Sequence, residues 1–276
     1  MGNIMNTPAE IVEGNINTGI YKVNLPLKKM MLKGMLAGAF IAIAGAASST
    51  AAHAIENVGV ARTLSGAVFG VGLMLVLFMG ADLFTGNCLT ITSIMDKKIT
   101  WKQVIKNLIV IWFSNLLGAL IIDTLIVYSG NLDFSHGLLG AYTIKVAVGK
   151  VALSPVTGLT SGILCNILVC FAVLMAAAAN DIGGKVWSIF FPILAFVICG
   201  FEHCVANMFY IPAGMMAAAN PEYVNVAMEH FGLTMAQIDS LTIANTIANL
   251  VPVTIGNIIG GMGFVGLPMY LIHRNK

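Results

Sequence analysis

Two eight-residue stretches concentrate the polar chemistry of this chain. One is Gly80-Ala-Asp-Leu-Phe-Thr-Gly-Asn87 and the other is Gly200-Phe-Glu-His-Cys-Val-Ala-Asn207. Both interrupt apolar runs. Each opens on glycine, places an acid two residues later and an asparagine seven residues later, so the three matches share an offset of 120 residues. His203 is of a residue type that changes charge near physiological pH, and it can offer a hydrogen bond or a proton to a passing anion. It can also be a satisfied core histidine, held by Glu202 or a backbone carbonyl. Its place at a break inside an apolar segment favours the functional reading. Thr85 offers a hydroxyl at the first break, either as a conduit contact or as a cap. Asp82 and Glu202 are expected to accept hydrogen bonds from N–H groups freed at the breaks, and Asn87 and Asn207 to bond the opened backbone. Leu83, Phe84 and Phe196 flank these groups and can form constrictions, although each alone is more often a packing residue.

Enzymatic chemistry finds no support. HExxH and GxSxG motifs are absent, and no nucleophile–base set is evident. The five cysteines (Cys88, Cys165, Cys170, Cys199 and Cys204) all lie in apolar stretches. They read as buried thiols rather than a disulfide framework or metal site. Catalytic residues, metal ions and cofactors are therefore not expected.

The elements that must position these residues follow from composition. The chain has 276 residues, 58% hydrophobic and 9% charged, with a mean hydropathy of +0.90. A soluble domain carries about a quarter charged residues, so this is a polytopic membrane protein whose first partner is the lipid bilayer. A net charge of +2 gives no sign of a nucleic-acid partner. The first apolar run starts near Met30 and is long enough to span, unlike the short core of a signal peptide. An all-α fold of six spans is predicted, at about 29–53, 61–95, 103–128, 155–179, 186–217 and 246–272. The second and fifth are too long. As unbroken helices they would reach roughly 50 Å against a hydrocarbon core of about 30 Å, and each holds one polar stretch, so each is expected to break there. Residues 1–28 are predicted to carry an amphipathic helix with a capping box at Thr7-Pro8-Ala9-Glu10. It lies on the membrane surface, over a pore mouth, or simply as an anchor.

The repetition extends past the breaks. Gly34-x3-Gly38 matches Gly158-x3-Gly162 at an offset of 124, and Asn115-x2-Gly118 matches Asn257-x2-Gly260 at an offset of 142. The channel region 29–276 therefore reads as two copies, about 29–130 and about 150–272. Each copy has three spans, an odd number, so the copies lie upside down relative to each other. If the N-terminus is cytoplasmic, that side carries eleven Lys and Arg residues, Lys276 among them, and the other side three: Arg62, Lys145 and Lys150. This bias places both termini in the cytoplasm. Lys150 either draws anions to the outer mouth or snorkels to the interface. Asp123, near the outer end of the third span, reads as snorkelling.

With these residues in place, the chain resembles the formate/nitrite transporter family. The motifs are "LFTGN" at 83–87, "GILCNILVC" at 162–170, "FEHCVANM" at 201–208 and "GNIIGG" at 256–261. The resemblance covers essentially the whole chain and is nearer to the bacterial hydrosulfide channels than to other branches. It implies an aquaporin-like fold in the bacterial inner membrane and a homopentamer with one pore per protomer. It implies small weak-acid anions as substrates: hydrosulfide first, then formate or nitrite. It places Leu83, Phe84 and Thr85 at an inner constriction, and Phe196 with Val169 at an outer one. His203 then sits between the two with Asn166 nearby, and Lys150 attracts anions to the outer vestibule. A proton-coupled transporter of formate or nitrite is the alternative. Asp82 in place of glutamate, Cys204 in place of serine and Ile167 in place of tryptophan bear on the choice of anion.

Overall fold

The structure is a computed structural model that describes residues 5–274; Lys276 and the first four residues of the N-terminal segment lie outside it. Helix α1 (Pro8–Val23) begins at the expected capping box. The Thr7 hydroxyl accepts from the Glu10 N–H, and the Thr7 N–H donates to the Glu10 carboxylate at 2.7 Å. That backbone bond, with the Thr7 hydroxyl, holds the Glu10 carboxyl below the usual carboxylate range. The buried side of α1 includes Ile11, Val12 and Ile16. Gly19 brings it so close that a Cβ there would lie 2.1 Å from the Ser93 hydroxyl, and Ser93 donates to the Ile16 carbonyl. The helix is thus seated on protein.

α2 (Leu27–Ala52) and α3 (Val58–Phe78) follow. After residues 79–83 the chain resumes as α4 (Phe84–Asn87), a 3₁₀ turn (Cys88–Thr90) and α5 (Ile91–Met95), then α6 (Trp101–Tyr128). α7 (Leu138–Val151), α8 (Pro155–Ala178) and α9 (Ile182–Cys199) come next. A second interruption precedes α10 (Cys204–Ala217). The short α11 (Pro221–Phe231) and α12 (Met235–Ile238) lead to α13 (Ile243–Ile258). A π-helical stretch (Ile259–Gly266) then passes into α14 (Leu267–His273). Among the described residues, six helical stretches are long and apolar enough to cross a bilayer, and no β-strand is present. Both over-long spans break where expected. Gly80 and Gly200 sit at φ +66° and +70°, a backbone region open to glycine at little steric cost. They end α3 and α9 with matching turns, Ala81 N to Val76 O and Phe201 N to Phe196 O.

Two close helix pairs carry the scaffold, α2 with α6 and α8 with α13. A Cβ at Gly38 would lie 1.9 Å from the Asn115 carbonyl oxygen, and one at Gly118 1.9 Å from that of Met35. No bilayer-core water competes for these contacts, so small residues set the approach. Gly38→Ala is expected to lower the thermal midpoint of the purified protein by the equivalent of about 1–3 kcal/mol. Gly14→Ala, inside α1 with nothing within 4 Å, should leave the midpoint unchanged or raise it slightly, alanine being the better helix former; equal midpoints for both variants would refute the close-packing account.

The inverted copies are larger than the sequence reading drew them, and one helix shifts in register. Gly118 packs on Met35, and Gly260 packs on Ile163. Asn115 bonds the Gly34 carbonyl, and Asn257 bonds that of Gly162. Both comparisons relate α2 to α8 by 128 residues, one helical turn beyond the 124 that the glycine spacing suggests. The same offset relates Lys22 of α1 to Lys150 of α7. Boundaries at 29–130 and 150–272 thus leave one helix out of each copy. Trp112 Nε1 of α6 donates to Thr254 Oγ1 of α13 at 3.1 Å, joining the copies at positions that are themselves related by 142.

Candidate conduction site

At the first break the freed N–H of Phe84 donates to Asn115 Oδ1 at 2.9 Å, while Asn115 Nδ2 donates to the carbonyls of Gly34 (2.7 Å) and Asp82 (3.0 Å). At the second, Cys204 N–H donates to Asn257 Oδ1 at 2.9 Å, and Asn257 Nδ2 donates to Gly162 (2.8 Å) and Glu202 (3.0 Å). Each asparagine is fully buried and staples both sides of a break to the neighbouring glycine-lined helix. The sequence reading gave this task to Asp82 and Glu202. That is corrected: their carboxylates face lysines. Asp82 lies 3.1 Å from Lys22 Nζ and 3.4 Å from Lys33 Nζ, and Glu202 lies 2.6 Å from Lys150 Nζ. A carboxylate aimed at the dipole end would compete with a nearby full positive charge, and at this depth the full charge dominates.

Asn87 and Asn207 also depart from expectation. They bond side chains rather than opened backbone: Asn87 Nδ2 donates to Asn107 Oδ1 and Asn207 Nδ2 to Asn249 Oδ1, both at 2.8 Å. Asn107 and Asn249 return the contact to the Lys22 and Lys150 carbonyls at the ends of α1 and α7. Two matching polar quartets result, Lys22–Asp82–Asn87–Asn107 and Lys150–Glu202–Asn207–Asn249. Lys150 is therefore tied to a buried acid and does not snorkel. Asp123 does not snorkel either: it is 0% exposed, and neither carboxyl oxygen has a hydrogen-bond partner among the described residues.

The quartets edge two cavities on opposite faces. One, of about 460 Å³, is lined by Lys22, Lys33, Asp82, Leu83 and residues of α1. The other, of about 930 Å³, is lined by Lys150, Phe196, Glu202, His203 and the further cations Arg62 and Lys145. Phe84, Thr85 and Val169, each 2% exposed or less, line neither cavity. The Phe196 ring stacks on the His203 imidazole with centroids 6.1 Å apart. His203 thus borders the larger cavity together with Phe196, and its Nε2 faces Thr85. Phe84 and Thr85 open α4 rather than lying on a loop.

His203 caps α10: its Nδ1 accepts from the Ala206 N–H at 3.0 Å. A backbone N–H has no choice of role, so Nδ1 bears no hydrogen and the imidazole hydrogen is on Nε2. Nε2 stands 3.0 Å from Thr85 Oγ1 and donates to it, which leaves the Thr85 hydroxyl hydrogen free. Asn166 is 0% exposed. Its Nδ2 donates to the carbonyls of Asn257 (2.6 Å) and Thr85 (3.2 Å), and its Oδ1 faces the Cys170 thiol at 3.5 Å. It therefore sits behind Thr85. Four buried thiols surround this region, yet no cluster of His, Cys, Asp and Glu suited to a metal occurs among the described residues.

Lys22 and the clamps Asn115 and Asn257 went unassigned in the sequence reading. Lys22 was findable as the residue 128 before Lys150, once the register was known.

Comparison with known proteins gives the family. The "Probable formate transporter" of Methanothermobacter thermautotrophicus is 37% identical over 283 residues, covering 96% of this chain and 96% of that protein. "Formate channel FocA" of Escherichia coli K12 is 37% identical over 278 residues, covering 98% of this chain and 95% of its own. Among solved structures, a "Pentameric formate channel with formate bound" superposes with a TM-score of 0.78 at 33% identity, over 90% of this chain and 97% of that one. An "FNT family ion channel" superposes at 0.80 with 25% identity, over 95% and 98%. The sequence model described as "Formate/nitrite transporter" matches residues 9–271, so this integral membrane protein belongs to the formate/nitrite transporter family.

Proposed function

We propose that each protomer conducts small monovalent anions of weak acids between the two cavities, past Thr85 and His203. Formate is the anion favoured by the names of the relatives; hydrosulfide, with nitrite, is the alternative that the Asp82, Cys204 and Ile167 departures keep open. The observation that carries the reading is the Thr85–His203 pair. It is a polar contact bridging the two breaks, and the cavity beside each break is lined by a half-buried lysine.

An anion is drawn to Lys22 or Lys150 and then meets a large desolvation penalty at Leu83, Phe84, Val169 and Phe196. The free Thr85 hydroxyl hydrogen, oriented by His203, replaces part of its water shell. A transferable imidazolium proton would need hydrogen on both ring nitrogens and would break the cap on Ala206. This supports hydrogen-bond donation over proton lending, and a channel over a proton-coupled carrier. Unitary currents in a planar bilayer would support the channel, and fixed proton-to-anion stoichiometry would overturn it. The exposed apolar stripe on α6, from Ile105 through Ile109 and Phe113 to Leu117, suits lipid or the flank of another protomer in a homopentamer. The basic face that carries the termini is the cytoplasmic one of an inner membrane.

In proteoliposomes, His203→Ala is expected to reduce formate flux by about tenfold or more, the scale of a lost polar positioning contact. His203→Asn, which keeps one acceptor and one donor, should recover part of it. Wild-type flux from both variants would remove His203 from the pathway. A parallel hydrosulfide uptake assay decides the anion: the faster of the two is the native class.

A further inference from the structure

The inverted copies agree in the scaffold and disagree in the centre. Lys22 and Lys150, Asn87 and Asn207, Asn107 and Asn249, and Asn115 and Asn257 are related pairs of identical residues, and Asp82 and Glu202 are a pair of acids. The polar groups at the centre have no such mates. At the offset of 120, His203 corresponds to Leu83 and Thr85 to Val205; at 128, Asn166 corresponds to Gly38 and Cys170 to Ala42. The four that break the symmetry form one continuous chain: His203 to the Thr85 hydroxyl, Asn166 to the Thr85 carbonyl, and Cys170 to the Asn166 amide oxygen.

Asn166 has a second consequence. In the first copy the glycine at this place lets the Asn115 carbonyl approach to 1.9 Å from where a Cβ would stand, and α6 stays α-helical to Tyr128. In the second copy the Asn166 amide occupies that space and donates to the matching carbonyl, that of Asn257, at 2.6 Å. A continuing α-helix would give that carbonyl to the N–H of Gly261. The chain instead goes π-helical from Ile259 to Gly266. A Cβ at Gly261 would lie 2.5 Å from Asn166 Nδ2, so the displaced turn wraps the amide.

We propose that Asn166 is a positioning residue. It causes the π-helical stretch after α13, and through the Thr85 carbonyl it holds the Thr85 hydroxyl against His203. The inference rests on the reading that Thr85 and His203 meet the anion.

Formate flux is measured in proteoliposomes across a range of pH for the assembled wild type, Thr85→Val, Asn166→Ala and the double variant. Each single variant is expected to lose flux by about tenfold or more and to change the pH profile in the same way. The double variant should fall no further than Thr85→Val alone, because linked residues are non-additive. Multiplicative losses, or a wild-type pH profile in Asn166→Ala, would overturn the proposal. Wild-type flux in Thr85→Val would instead overturn the functional reading beneath it. Asn166→Gly, which installs the residue of the other copy, provides an independent check by cryo-EM. Residues 259–266 should return to α-helical bonding, and a retained π-helix would overturn the assignment of its cause. If neither Asn166 variant assembles, the map is taken of Cys170→Ala; a Thr85 hydroxyl still within hydrogen-bond reach of His203 agrees with the proposal, and a separated pair contradicts it.

Discussion

Asn257→Ala is expected to abolish the assembled, detergent-stable protein. The substitution leaves the buried Cys204 N–H and the buried Glu202 carbonyl without a partner, and removes from the Gly162 carbonyl the bond it makes beyond its own helix. Each orphaned group costs about 1–3 kcal/mol, so the loss is about 2–6 kcal/mol, a large share of a typical folding free energy. No lipid or bulk water can replace the bonds at this depth. Asn257→Asp, protonated at this depth, keeps the acceptor for the Cys204 N–H and one O–H donor in place of two N–H groups, so its damage should be intermediate. The measurement is size-exclusion profile against temperature. A variant Asn257→Ala that elutes and melts like wild type would show that the breaks are held by something other than this side chain. Asn115→Ala should behave the same way, since its three bonds repeat the pattern.

The second large effect concerns Lys150. Removing one partner of a buried ion pair costs roughly 3–5 kcal/mol, because the other charge is left uncompensated. Glu202 is 4% exposed, and its second oxygen is held by Asn207 at 2.7 Å. Lys150→Met is therefore expected to lower the thermal midpoint by many degrees. Lys150 retains 19% side-chain exposure, so water relieves part of the penalty and the effect should fall at the lower end. The double variant Lys150→Met/Glu202→Gln should recover most of the stability while flux at low salt stays depressed. Recovery of both would mean that Lys150 serves packing alone. Failure to recover either would mean that the pair is not the relevant interaction.

Much of this architecture was legible in the sequence, and the failures have physical reasons. The breaks followed from helix length against bilayer thickness and from Gly80 and Gly200. The inversion followed from counting spans. The work of the acids was misread because a sequence does not show which neighbouring helix reaches a break. Asn115 and Asn257 were visible only as a repeated spacing, while Asp82 and Glu202 sat beside the freed groups along the chain. The register slip had a similar origin: two glycine pairs matched at 124, and only the contacts that α6 and α13 make, the bonds from Asn115 and Asn257 and the packing of Gly118 and Gly260, distinguish that from 128. Lys22 was hidden by the same slip. The π-helical stretch had no sequence signature, since it comes from one side chain on another helix.

The hydrogen bond from Trp112 to Thr254 occupies positions that the pseudo-two-fold operation exchanges. In a dimer of two identical half-length chains, a residue at such a spot confronts its own image. An indole has a hydrogen to offer and no lone pair to receive one, so tryptophan cannot satisfy itself there, whereas an indole facing a hydroxyl can. Such a contact requires non-identical halves, and joining them in a single polypeptide guarantees that every molecule carries one of each.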